Sequence, residues 1–300
     1  MDLPDTTDVA DQLAERVAGD YASLLPRPEV ATDVDGSRLA GKRLLVTGAD
    51  GFLGQRLAQK LEELDVEAYM TDLHDLDITN GELVDRTLRQ LRPDLVIHLA
   101  AMKHAPLGEV HPLETTEVNV IGTHNVVEAA RVARVPPGAF VFVSTCKAAA
   151  PETVYGATKL LGERLVLRAG YAAVRLGNVL ASSGSVLEIW LAQQLNGDPL
   201  TVTPCRRYWL TPGEATALVL APFALGPGLY HLDAGVPEPV EELARRFAPD
   251  AELDRIPPRL GDRLVERFLA DGEESEPTSV AGVMRITETW ERESGGAAGS

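Results

Sequence analysis

A chain of 300 residues, 45% of them apolar, is long enough to bury a sizeable core without disulfide staples. Its 28 basic against 45 acidic side chains give a net charge of −17, which disfavours nucleic acid and anionic membrane as partners; its two cysteines, Cys146 and Cys205, exclude a disulfide scaffold and a multi-cysteine metal site and point to a reducing compartment. The start, MDLPDTTD, lacks a basic region followed by an apolar run, and no later apolar stretch reaches the ~18 residues of a spanning helix, so a soluble cytoplasmic protein without membrane insertion is expected.

In chain order, Val9, Leu13, Val17 and Tyr21 recur at i, i+4 steps, predicting a helical extension over residues 1–40 that packs on the body or on a second subunit. A homo-oligomer is expected. From Arg43 onward, short apolar runs (RLLVTG, VEAYMTD, PDLVIHLAA, AFVFVST, YAAVRLGNV) alternate with helical patterns at Gln55 to Leu64, Gly81 to Leu91, Glu117 to Val132 and Tyr155 to Arg168. Continuous apolar strands between helices are what a parallel sheet covered on both faces requires, so the fold class is α/β, doubly wound. The nucleotide-binding domain is placed at 41–178. After Asn178 the pattern breaks into shorter pieces, with strands at PLTVT and GLYHLD and a helix at VEELARRF, predicting a smaller substrate lobe over 179–290 and a disordered tail at 291–300.

The run RLLVT enters Gly48, Ala49, Asp50, Gly51, Phe52, Leu53 and Gly54, then a helix. Glycines at this spacing allow a tight turn, close backbone approach to a pyrophosphate and close helix–strand packing, while the helix N-terminus supplies unpaired N–H groups for phosphate. Asp72 ends the second strand 18 residues after Gly54, where a carboxylate accepts from both ribose hydroxyls and repels a 2′-phosphate. With no Arg or Lys in Leu73, His74 and Asp75, this Rossmann-type turn points to NAD over NADP. Asp77 is placed to reach the adenine amino group or to cap a helix. Leu99, Ala100 and Ala101 leave the strand of PDLVIHLAA with side chains small enough for the cofactor to approach.

Tyr155 and Lys159 form an i, i+4 pair on one helix face, shortly after a strand ending in Ser144 and Thr145. An ammonium and a nicotinamide cation both favour phenolate, which makes such a tyrosine a base toward a sugar hydroxyl. With the glycine turn, this pattern resembles the extended short-chain dehydrogenases/reductases. The stretches AAMKHAPLGEVHPLETTEVNVIGTHNVVEAA, STCKAAAPETVYGATK, VRLGNVLASSGSVLEIW, PCRRYWLT and PPRLGDRLVE further resemble the inverting UDP-N-acetylglucosamine 4,6-dehydratases and related capsule-polysaccharide enzymes.

That resemblance implies a nucleotide-sugar dehydratase with bound NAD acting on a UDP-sugar. It assigns Tyr155 to C4 oxidation, Lys159 to its support, Lys147 to C5 proton transfer and Thr145 to orienting the sugar hydroxyl. In the family the strand ends Ser-Thr-Asp-Lys; here Cys146 stands where the family has Asp, nine residues before Tyr155, and is expected to serve as the acid for the departing C6 hydroxyl. Lys103 and His104 are expected to close over cofactor or sugar, Asn178 to lie near the substrate phosphates, and Arg207 and Arg259 to contact phosphate or uridine. The alternatives are a 5,6-dehydratase or epimerase of the same family, and a noncatalytic dinucleotide-sensing protein, for which the Tyr155 and Lys159 pair has no use.

Overall fold

The computed structural model describes residues 20–32 and 36–288. The five apolar runs form β1 (Lys42–Thr47), β2 (Val66–Thr71), β3 (Leu95–His98), β4 (Phe140–Thr145) and β5 (Ala172–Leu176). Three later strands, β6 (Gly228–Leu232), β7 (Glu273–Pro277) and β8 (Val283–Glu288), complete one sheet of order β7-β8-β6-β5-β4-β3-β1-β2. From β2 to β6 every pairing is parallel, whereas β8 runs antiparallel to both β6 and β7. Every residue of β3 and β5 is buried, because helices cover both faces of the sheet and leave no solvent side to alternate toward.

The helix Gly81–Leu91 has the bounds expected, with Asn80 accepting from the Leu83 N–H at 3.1 Å as its cap. The helix Phe52–Glu62 starts within the glycine motif, and Val154–Arg168 starts one residue before Tyr155, capped by Thr153. The span expected to be one helix from Glu117 to Val132 is instead a π-helical segment, Glu117–Gly122, running into an α-helix, Thr123–Val132. Asn119 on the π segment is buried, and its amide accepts from the Met102 N–H and donates to the Met102 carbonyl and to Thr158 Oγ1. One side chain therefore ties the loop after β3 to the helix that carries Tyr155.

Two apolar clusters divide the molecule. The larger surrounds the sheet; the smaller gathers Leu187, Trp190, Leu200, Leu243 and Phe247 from the helices Val186–Asn196 and Val240–Phe247 and the strand Leu200–Val202. The expected lobe does not run unbroken from 179 to 290. GLYHL is β6, paired in parallel with β5, and the helix Pro212–Leu220 buries Ala215 and Leu218 in the larger core. A strand with four consecutive buried residues needs cover on both faces, which only the main sheet provides. Tyr21 begins a 3₁₀ turn, Tyr21–Leu24, packed on the smaller cluster. Val9, Leu13, Val17 and the tail at 291–300 lie outside the described residues.

Among the described residues no helix is long and apolar enough to cross a membrane, and no group of three His, Cys, Asp or Glu is placed to hold a metal ion. The strand order reverses at β1, between β2 and β3. In a doubly wound sheet the ligand crevice opens outside the carboxyl ends of the strands at that point.

Candidate active site

A cleft of about 1200 Å³ opens there, lined by the glycine turn, the ends of β2 to β5 and the loops after them. Gly48 has φ +75°, and a Cβ on it would sit 2.5 Å from the Ala100 backbone nitrogen; a Cβ on Gly54 would sit 2.3 Å from the Ala49 carbonyl oxygen. Both glycines are thus required by close backbone approach. Gly51 caps the helix Phe52–Glu62 without a side-chain bond, which leaves first-turn N–H groups free for an anion. At the end of β2, Asp72 is fixed by the N–H groups of Asp50 (3.0 Å) and Leu73 (2.7 Å), one on each carboxylate oxygen. Asp77 also lines the cleft, but it does not cap a helix: it accepts from the N–H (2.9 Å) and hydroxyl (2.7 Å) of Thr79, and Asn80 takes the cap. Leu99, Ala100 and Ala101 line the same space.

Thr145, Lys147, Tyr155 and Lys159 line the cleft together. Thr145 ends β4 and caps a short 3₁₀ turn, Cys146–Ala148, by accepting from the Lys147 N–H at 3.3 Å. Burial pushes the Tyr155 phenol above its ordinary range, against the downward pull of Lys147 and of a Thr145 hydrogen bond. Lys159 lies 4.0 Å from the centre of the Phe142 ring, and burial lowers its pKa to about 7 against the opposing pull of Glu163.

Lys147 Nζ is 2.7 Å from a carboxylate oxygen of Glu266, whose side chain is fully buried. The same carboxylate accepts from Asn178 Nδ2 at 2.6 Å and stands 3.5 Å from Arg207 Nε. Arg207 in turn pairs with Asp262 at 3.1 Å, and Asp262 accepts from the Arg259 N–H at 2.9 Å. Burial favours the neutral amine of Lys147, but the charge and hydrogen bond of Glu266 outweigh it and hold Lys147 above the usual ammonium range. Lys147 thus rests as an ammonium clamped by Glu266. Sequence reasoning singled out Asn178, Arg207 and Arg259 but not Glu266 or Asp262, although both lie in the quoted stretch PPRLGDRLVE.

Lys103 and His104 reach the cleft from the loop after β3, with Lys103 Nζ donating to the Ser183 carbonyl at 3.3 Å. Of the residues singled out from the sequence, Cys146 alone does not line the cleft. It is fully buried in the core, and burial, with the Glu266 charge, pushes its thiol up to about 12. The cause is the turn itself, which sends Thr145 and Lys147 toward the cleft and the residue between them inward. A thiol buried behind the cleft lining, in contact with Thr145, lends no support to the acid role expected from its position in the sequence.

Residues 70–288 match the family model described as Polysaccharide biosynthesis protein. The chain is 33% identical over 261 residues to the probable polysaccharide biosynthesis protein EpsC of Bacillus subtilis (strain 168), covering 75% of this chain and 43% of that protein, so it spans less than half of that relative's length. It is 31% identical over 207 residues to the UDP-N-acetylglucosamine 4,6-dehydratase (inverting) of Campylobacter jejuni (strain 81-176), covering 65% of this chain and 61% of that enzyme. Among solved structures, the UDP-glucose 4-epimerase of Thermus thermophilus in complex with NAD superposes with a TM-score of 0.66 at 26% identity, covering 75% of this chain and 90% of that one.

Proposed function

Because this chain belongs to the polysaccharide biosynthesis protein family, we propose that it is a nucleotide-sugar 4,6-dehydratase acting on a UDP-sugar such as UDP-N-acetylglucosamine, with NAD as its cofactor. The observation that carries the reading is one continuous cleft holding both the glycine turn with Asp72 and the group Thr145, Lys147, Tyr155, Asn178 and Arg207. The backbone cradle at Gly48 and Gly54, the free first-turn N–H groups and the anchored Asp72 fit a dinucleotide. When bound, NAD supplies the hydride acceptor at C4 and the later hydride source at C6. Tyr155 takes the proton of the C4 hydroxyl, and Thr145 orients that hydroxyl. The C4 ketone acidifies the C5 proton, which Lys147 moves. Arg259 offers a guanidinium fork to the diphosphate, while Arg207, whose guanidinium is engaged by Glu266, Asp262 and the Arg263 carbonyl, holds that wall of the cleft.

A second reading, a 4-epimerase, is favoured by one observation: Cys146 is outside the cleft, and C4 chemistry alone needs no acid at C6. Incubation with UDP-N-acetylglucosamine in deuterated water, read at C4, C5 and C6 by NMR, separates the two. A 6-deoxy-4-keto product labelled at C5 supports dehydration; a product that keeps its C6 oxygen and inverts C4 replaces it with epimerisation.

Asp72 sets the cofactor preference in this reading. Asp72→Ala is expected to narrow the preference for NAD over NADP by about tenfold or more, since relief of one close charge repulsion amounts to roughly 1.4 kcal/mol. Titration of both dinucleotides into both proteins measures it, and a parent that binds NADP as tightly as NAD would contradict the assignment. Cys146→Ala is expected to keep turnover within about twofold while lowering stability by about 1 kcal/mol, as for a small core truncation. Urea unfolding and product formation test this together; a large loss of C6 elimination in a well-folded variant would return Cys146 to the chemistry.

A further inference from the structure

Glu266 is a fully buried carboxylate, 119 residues from Lys147 in sequence, that contacts a cleft-lining ammonium and itself lines no part of the cleft. A surface ion pair would place no such demand on the fold. Here the second oxygen is also satisfied, by Asn178, and Arg207 stands beside the first, so the carboxylate has a fixed position behind three cleft-lining side chains, of which Lys147 alone is a titratable proton carrier. Resting on the dehydratase reading, we propose that Glu266 is the positioning residue that shares one proton with Lys147, so that this single lysine serves as base at C5 and then as acid at C6.

The steps balance within the pair. In the resting state Lys147 is an ammonium and Glu266 a carboxylate. One proton passes from Nζ to the carboxylate, leaving an amine and a carboxylic acid. The amine takes the C5 proton, and the C5–H electrons enter the enolate of the C4 ketone. The ammonium formed gives a proton to the C6 oxygen; the C6–O bond breaks with its electrons on oxygen, water departs, and the enolate electrons close a C5–C6 double bond. Lys147 then takes back the proton held by Glu266. No separate acid is required, which accommodates a Cys146 buried in the core.

The groups facing the pair are Cys146, Tyr155 and Tyr208, together with Arg207 and, beyond it, Asp262. Burial raises Glu266, but Lys147 and Arg207 outweigh it and hold it below the usual carboxylate range, while Lys147 is held above the ammonium range. Between those limits the pair carries one proton, held at rest on Lys147, and the minor fraction in which Glu266 holds it does not change with pH. Without Glu266, burial acts on Lys147 unopposed and the amine forms only as the proton is lost to solvent.

The test presents the 6-deoxy-4-keto UDP-sugar itself to the full chain in deuterated water and follows deuterium entry at C5, a reaction that needs no hydride transfer. The parent is expected to exchange at a rate that is flat over about pH 6 to 9. Glu266→Gln is expected to acquire an acid limb, its exchange falling about tenfold per pH unit below the new lysine pKa. Glu266→Asp, which keeps a carboxylate, should restore the flat profile, and it carries the test if the Gln variant does not fold. A flat profile in Glu266→Gln, whether at the parent rate or uniformly reduced, overturns the proton-sharing role, as does an acid limb in Glu266→Asp. A parent that forms no 6-deoxy-4-keto product from UDP-N-acetylglucosamine overturns the dehydratase reading and this inference with it; a parent that forms it, beside a flat Gln variant, overturns the inference alone.

Discussion

Tyr155→Phe is expected to slow the first oxidation by about 10²- to 10⁴-fold, the range that a positioned general base contributes. The substitution removes one hydroxyl and keeps the ring, so the helix Val154–Arg168 retains its Thr153 cap and its packing on β4. UDP-sugar and cofactor should bind as before. In the site, burial disfavours the phenolate, and the charge of Lys147 with the Thr145 hydrogen bond partly restores it. Rapid mixing with the sugar, followed by the absorbance of the reduced nicotinamide, measures the step. An undiminished rate in the variant would remove Tyr155 from it.

The parts of this site that were legible in the sequence are those encoded by local spacing. Gly48, Gly51 and Gly54 lie on one turn and Asp72 at the end of the next strand, so a short stretch of chain specifies the whole cradle. Tyr155 and Lys159 share a helix face for the same reason and both line the cleft, with Lys159 Nζ over the Phe142 ring. The pairing of Lys147 with Glu266 spans 119 residues and obeys no periodicity, so only tertiary structure reveals it. The placement of Cys146 was within reach of the sequence. With Thr145 and Lys147 both expected in the cleft, a tight turn after the strand leaves the residue between them facing away from it. The assignment of GLYHL to the smaller lobe failed for a related reason. A short apolar run shows that a strand is buried but not which strand it lies beside, and β6 pairs with β5 across more than fifty intervening residues.

Arg175→Met is expected to lower stability by about 3–5 kcal/mol, the usual cost of stripping one partner from a buried ionic network. Arg175 lies in β5, fully buried, where the other four positions of the strand are apolar. Its guanidinium donates to both oxygens of Glu163 (3.0 and 2.8 Å), to both oxygens of Glu273 (2.5 and 3.0 Å) and to the Phe268 carbonyl (2.7 Å). Methionine fills similar volume but leaves two carboxylates inside the core with no cation. The consequence reaches the site, because Glu163 also accepts from Ser144, next to Thr145 at the end of β4, and stands on the helix that carries Tyr155 and Lys159. Converting all three members together, Arg175→Met with Glu163→Gln and Glu273→Gln, removes the unpaired charges and is expected to recover most of the loss, since a buried network is costly to break yet contributes little net stability when replaced whole. Urea unfolding of the single and triple variants decides the matter: a single variant within about 1 kcal/mol of the parent, or a triple variant no better than the single, would show that the network does not hold β5 to the helix in this way.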